Sequence, residues 1–377
     1  MPTLTDRELE EMYESGEVRL SQERNDFLLP QVLDFVRTRR WINLHPEYQR
    51  RQVWTNKKRS LFIESLLMNL PVPPVFLFEV DYSRYEVIDG QQRLGAISDF
   101  YENRYKLTGL EKWPGLNNKK FSDLPPIIQR GLDRRRISAV VLLAESLTVE
   151  EKRHDVRRLM FERLNTGGQN LNAQELRNCL FSGPFNDMLL SLAAKSLFND
   201  IWEIPRYEDH IRGEHISAAL ANNRMFQRMQ DCEVVLRFFA FRKKSNIRGA
   251  VKGMLDRCME DNLNLSKDEI GELEAVYMSR LTLAHNIFGE NTFRLPPRDG
   301  GARKLSQPLY DAVMIALDRL YARREDLLAN AASLQRRLDE ALTDNGAFYE
   351  LVVARANTAE SIKKRLNQTE ALFESVY

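Results

Sequence analysis

Cysteine and histidine are scarce in this chain of 377 residues, which has three of the first and five of the second. Cys179, Cys232 and Cys258 are odd in number, far apart and without metal-ligand spacing. They read as reduced thiols, which excludes a disulfide framework and a zinc knuckle. His45, His154, His210, His215 and His285 lack the two-His-plus-Glu helix spacing of a zinc hydrolase. Nothing resembles a Ser-His-Asp or Cys-His hydrolase. No histidine follows His285, so the residues after it offer no His base or His metal ligand. Net charge is missing too: the formal charge is +1 although 29% of residues are charged, so any nucleic-acid surface must be a local patch. No apolar run reaches the ~18 residues that a membrane span needs, and Met1 to Gly16 is acidic, without a signal-peptide core. A cytoplasmic location with no membrane partner is expected. Repeats and low-complexity tracts are absent, as are the glycine spacing and Gly-Lys-Ser/Thr ending of a Walker A loop and the dinucleotide fingerprint.

What is present concentrates at one joint. Pro74 to Val80 is rich in β-branched and aromatic residues, Asp81 to Arg84 separates it from Tyr85-Glu86-Val87-Ile88 at hairpin spacing, and the second run breaks at Asp89-Gly90. Leu94, Ile97 and Tyr101 then fall at helical spacing, so a helix opens near Gln91 or Gln92. The first turn of a helix has unpaired N–H groups and positive partial charge, and Arg93 adds a forked donor suited to phosphate. Asp89 is placed to hold Mg²⁺ through water or to orient an attacking water. The alternative is an ordinary Asp-Gly turn with a solvated helix start.

Around this joint lie basic residues, Arg37, Arg39, Arg40, Arg50, Arg51, Lys57, Lys58 and Arg59, interleaved with Trp41, Tyr48 and Trp54. They suit DNA phosphates and an exposed or modified base, or else a solvated face over core aromatics. Tyr48, Arg51, Trp54, Lys57 and Lys58 are the DNA-binding candidates. Arg134 to Arg136 and Arg242, Lys243, Lys244 and Arg248 read as surface runs.

The segment Asp89-Gly90-Gln91-Gln92-Arg93 resembles the DGQQR signature of the family catalogued as domain of unknown function 262, found at the amino end of GmrSD-type modification-dependent restriction enzymes. Further stretches resemble the same family in order: Leu44 to Trp54 its P-x-Y-Q-R-x-x-x-W opening, Leu61 to Pro74 its L-I-x-S-I-L-x-x-x-P-I-P helix and turn, and Phe161 to Gly168 with Leu171 and Glu175 to Asn178 its F-x-R-L-N-T-G-G-x-x-L-x-x-x-E-L-R-N block. Gly95-Ala96 departs from the hydroxyl residues common there. The resemblance spans about residues 41 to 180 and implies a ParB/sulfiredoxin-like core whose turn cradles nucleotide phosphates. It implies an NTP, GTP or ATP, with Mg as cofactor. Carried over, Asp89, Gln92 and Arg93 would be catalytic, and Gln49, Arg50, Gly90, Gln91, Gln92, Arg93, Arg163, Asn165 and Gly167 would bind nucleotide. The implied partners are DNA, modified or not, and a separate nuclease or defence subunit, since the His-Asn-His nuclease domain of full-length relatives is not expected here; a homo-oligomer is allowed. Two other readings stand beside this Mg-dependent NTPase: a non-catalytic DNA-binding scaffold, and a ParB-like nickase.

The expected fold is α+β. Residues 1 to 25 read as a flexible arm with at most one short helix, 26 to 183 as the DGQQR domain and 184 to 377 as a helical domain. Helices are expected over Phe27 to Arg37, over Lys57 to Leu70 and over Leu124 to Leu132 with Ser122 as cap, and a strand over Arg136 to Leu143. Leu107 to Lys120 has the composition of a mobile cover. A capping box at Thr148 to Glu151 starts a helix to about Leu164, and Asn172 with Glu175 starts the next. About six amphipathic helices follow, among them Arg224 to Phe241, Lys267 to Ile287, Pro308 to Ala322 and Thr358 to Phe373.

Overall fold

The computed structural model describes residues 5–15, 21–44, 54–143, 172–181, 183–212, 215–297, 301–343, 347–353 and 358–375. The chain divides into two compact units: Met1–Pro46 with Val53–Asn170, and Glu47–Gln52 with Leu171–Tyr377.

In the first unit, α1 (Asp6–Ser15) precedes β1 (Gln22–Leu28), α2 (Leu29–Leu33), a π-helical turn at Asp34–Thr38, β2 (Ile42–Asn43) and α3 (Asn56–Leu67). Then come β3 (Val75–Asp81), β4 (Arg84–Asp89), α4 (Gln91–Tyr101), α5 (Pro126–Asp133) and β5 (Arg136–Leu142). The strands form one mixed sheet in the order β1-β5-β3-β4-β2. The expected hairpin is the antiparallel β3–β4 pair, and β3 runs parallel to β5 with Val75 opposite Ala139. Val75 and Leu77, then Ile137, Ala139 and Val141, alternate onto one core with Leu94, Ile97 and Phe100 of α4. That is the period of two of a strand, and Phe78, Val140 and Leu142 of the alternate positions are buried as well.

The segment expected as arm and then helix behaves differently. Gln22–Leu28 is an edge strand, antiparallel to β5 with Gln22 opposite Leu142 and Leu28 opposite Arg136, so the helix starts at Leu29 and not at Phe27. The first three residues of β1, Gln22, Glu23 and Arg24, are polar or charged and exposed, a composition that blunts an edge against further pairing. Ser122 is not the cap of α5: that helix begins at Pro126, its N-cap is Pro125, and Ser122 donates its N–H to Asn103 Oδ1 at 2.8 Å.

Residues 107 to 120 are pinned, not a mobile cover. Leu107, Leu110 and Leu116 are buried in the core, and a buried leucine contributes about 1.5 to 3 kcal/mol. The Glu64 carboxylate, 3% exposed, accepts the N–H groups of Glu111, Lys112 and Trp113 at 3.2, 2.8 and 2.8 Å. Ser60 Oγ accepts the Thr108 N–H at 2.9 Å. Both anchors stand on α3, where the Thr55 hydroxyl caps the first turn by accepting the Lys58 N–H.

Among its described residues the second unit is helical apart from two antiparallel pairs of two-residue strands, Ile211–Arg212 with His215–Ile216 and Arg294–Leu295 with Lys304–Leu305. Its first helix, Ala173–Leu180, opens with the expected capping box: Asn172 Oδ1 accepts from Gln174 and Glu175, and Glu175 Oε2 accepts the Asn172 N–H at 2.7 Å. The stretch Arg224 to Phe241 breaks in two at Met229, whose φ of +51° cannot continue a helix. Lys267–Phe288, Gln307–Arg319 and Ala359–Glu374 match the periodic segments closely. At its centre the fully buried Asp311 carboxylate takes Arg237 Nε at 2.9 Å and Arg365 Nη2 at 2.9 Å. Cys232 and Cys258 are buried free thiols. Burial pushes the Cys258 thiol up to about 12, so it is inert at neutral pH. The helix expected over Thr148 to Leu164 lies outside the described residues.

Candidate functional site

The Asp89-Gly90 joint sits where β4 ends beside the start of β3, with Phe76 opposite Asp89. Gly90 is the N-cap of α4 and takes φ +103°, a left-handed conformation that favours glycine. A Cβ there would also lie 2.8 Å from Val75 Cβ, so both the dihedral and the close approach of β3 require the missing side chain. No side chain caps α4, and its first intrahelical bond is Leu94 N–H to Gly90 C=O at 2.9 Å. The N–H groups of Gln91, Gln92 and Arg93 therefore face outward from a positive helix end.

The four polar side chains divide their work. Arg93 is buried, its side chain 10% exposed. Its Nη1 donates to the carbonyls of Pro73 and Pro74, the latter at 3.0 Å, and its Nη2 to Asp89 Oδ2. Arg93 thus ties the start of β3 to the end of β4 and fixes the Asp89 carboxylate. That carboxylate stays 55% exposed, and Oδ1 has no partner among the described residues. Gln91 Nε2 donates to the Leu44 carbonyl at 2.5 Å, and Gln92 Oε1 accepts the Trp54 N–H at 2.8 Å. The two glutamines therefore hold the backbone at the two points flanking residues 45–53. Tyr48, Gln49, Arg50, Arg51, Arg163, Asn165 and Gly167 lie outside the described residues.

The basic residues near the joint separate into two sets. Arg37 and Arg59 turn inward onto Asp99 at 2.8 and 3.1 Å, and Arg39 pairs with Asp34 at 2.7 Å, so these three serve the fold. Lys57 and Lys58 are exposed on the first turn of α3. Trp54 is half-buried, edge-on to Phe62 at 5.5 Å, with Lys58 Nζ 5.0 Å from its ring centre. Trp41 stacks on Phe35 at 5.1 Å. In the second unit, Arg242 pairs with Asp318 and Lys243 with Asp261, as an ordinary surface run would. Among the described residues no group of three or more His, Cys, Asp or Glu is arranged to hold a metal ion.

Sequence reasoning placed Asp89 to Arg93 at one turn but missed the inward commitment of Arg93. It also missed the bonds from Gln91 and Gln92. The Arg93–Asp89 pair lies at i,i+4 spacing, but no local signal carries the other contacts, whose partners Pro73, Pro74, Leu44 and Trp54 lie 19 to 47 positions away.

Residues 32–182 match the family model described as GmrSD restriction endonuclease, N-terminal domain. This stretch, less than half of the chain, is similar to a GmrSD-type amino-terminal domain. The match contains the whole of β2 to β5 and the DGQQR turn of that domain. No curated protein and no solved structure matches the chain. Among the described residues, no helix is long and apolar enough to cross a membrane.

Proposed function

We propose that the DGQQR turn of this GmrSD-type domain binds the phosphates of an NTP with Mg²⁺ and hydrolyses it, coupled to recognition of DNA in a restriction or defence system. The observation that supports this most is the uncapped first turn of α4 beside a fixed, half-exposed carboxylate. Phosphate oxygens accept from the N–H groups of Gln91 to Arg93, as anions do at helix N-termini. Arg93 contributes its charge from beneath and holds Asp89 in place. Asp89 Oδ1 is the oxygen left to orient the attacking water or to reach Mg²⁺, a cation that is content with one carboxylate, waters and substrate phosphates. Bound Mg²⁺ would supply neutralisation of phosphate charge. Gln49, Arg50, Arg163, Asn165 and Gly167 complete the nucleotide set in this reading, and Tyr48, Arg51, Trp54, Lys57 and Lys58 face DNA. The ParB/sulfiredoxin relationship, the separate nuclease subunit and any oligomer rest on the family resemblance.

Phosphate release from GTP and ATP with Mg²⁺, measured with and without DNA, tests the proposal. Turnover of one nucleotide that DNA accelerates is expected. Binding of nucleotide without release would leave the scaffold reading standing in its place.

A further inference from the structure

The pinned segment 106–120 carries four lysines, Lys106, Lys112, Lys119 and Lys120, and its backbone is joined to α3, which carries Lys57 and Lys58. Leu107 N–H bonds the Lys119 carbonyl at 2.9 Å and Asn118 N–H the Leu107 carbonyl at 2.8 Å, so Lys106 and Lys120 flank one pair of adjacent chains. Gly109 packs against the Lys57 stem, and the Glu64 carboxylate fixes the backbone of Lys112 two turns along the same helix. Among the described residues none of these six lysines has an ion pair. Lys57, Lys58, Lys106 and Lys112 are exposed, and Lys119 and Lys120 half-buried.

Of the carboxylates nearby, Asp99 pairs with Arg37 and Arg59 and Glu102 with Arg37 and Arg104, whereas Glu64 and Asp123 accept backbone N–H groups and keep their charge. Glu111 alone remains exposed within the segment. In a chain whose formal charge is only +1, six lysines on two joined segments outnumber the uncancelled carboxylates of Glu64, Glu111 and Asp123 there, which is the local excess of positive charge that a polyanion needs. The face also adjoins the candidate nucleotide turn: Gln92 bonds the Trp54 backbone, and Lys58 lies over the Trp54 ring.

We propose that this face, α3 and the pinned 106–120 segment together, is a binding surface for the phosphate backbone of duplex DNA. The inference deepens the reading of the domain as a DNA sensor and rests on it. Lysines on a fixed backbone neutralise phosphates without reading bases, so the surface positions the duplex and leaves discrimination to other residues. Its contact with the DGQQR turn through Trp54 gives DNA binding a direct route to the nucleotide.

The test uses the full chain, a short fluorescein-labelled duplex and anisotropy across a salt series. One variant replaces Lys106, Lys112, Lys119 and Lys120 by Ala, and a second replaces only the two exposed residues, Lys106→Ala with Lys112→Ala. A control replaces four exposed lysines of the second unit, Lys244, Lys267, Lys304 and Lys363, by Ala. Each phosphate neutralised contributes roughly −0.9 to the slope of log affinity against log salt. The four-lysine variant should therefore lose about 2 to 4 of slope and at least about tenfold in affinity at low salt. The two-lysine variant should lose about half as much, and the control should change little. Wild-type binding with an unchanged slope in both segment variants would overturn this surface while sparing the DNA reading, as would an equal loss in the control. Wild-type protein that binds no duplex at any salt would overturn the DNA reading itself, and this inference with it.

Discussion

Asp89→Asn should lower phosphate release by about a hundredfold or more while nucleotide still binds, which is the scale on which a positioned base or water-orienting group acts. The substitution keeps the shape of the side chain and removes its charge. Asparagine can still accept from Arg93 through its amide oxygen, so the brace between β3 and β4 survives in part. What disappears is the negative oxygen facing outward from the turn. Calorimetry with a non-hydrolysable NTP separates binding from turnover, and a thermal melt checks that the domain is intact. Equal phosphate release by wild type and Asp89→Asn would remove Asp89 from the chemistry. Arg93→Ala is the poorer probe, because it leaves two proline carbonyls and a carboxylate without their donor and so reads stability before affinity.

Asp311→Asn should produce the largest stability loss in the second unit, about 3 to 5 kcal/mol, the usual result of removing one partner from a buried ion pair. Asp311 is fully buried and is shared by Arg237 and Arg365, which are 3% and 0% exposed. Neutralising it removes the carboxylate that both buried guanidinium groups share, and leaves Arg237 only the electrostatic pull of Glu233. Burial already pulls Arg365 below the ordinary arginine range, against the opposing pull of Asp311. Equilibrium denaturation followed by hydrogen exchange in Gln307–Arg319 and Ala359–Glu374 reads the effect. Wild-type stability in Asp311→Asn would mean that solvent or another group carries that charge.

The parts of the fold that were legible in the sequence were those specified locally. The strand pair, the glycine joint and the helix after it follow from β-branched alternation, Asp-Gly and a change of period within about 30 residues. The capping box at Asn172 and Glu175 was equally local. β1 was not legible, because an exposed polar edge strand carries no alternation and its partner β5 lies more than 100 positions away, as Asp26 and Ser138 show. The pinning of 107–120 was hidden for a related reason: Glu64 looks like a solvent-facing helix residue until three backbone N–H groups from another part of the chain converge on it. The basic residues show the same limit. Arg37 and Arg59 look like Lys57 and Lys58 in composition, and only the tertiary position of Asp99 turns the first two inward. At the site, spacing located the DGQQR turn but not the division of labour within it.

Docking of nucleotide phosphate on the first turn of α4 is tested most directly by hydrogen–deuterium exchange at Gln91, Gln92 and Arg93. In the free protein these backbone N–H groups lack an intrahelical acceptor, so they should exchange quickly. A non-hydrolysable NTP with Mg²⁺ should slow them by at least about tenfold as phosphate oxygens become their acceptors. Saturated nucleotide binding, established by calorimetry, with exchange at these three residues unchanged would contradict the account and place the phosphates elsewhere.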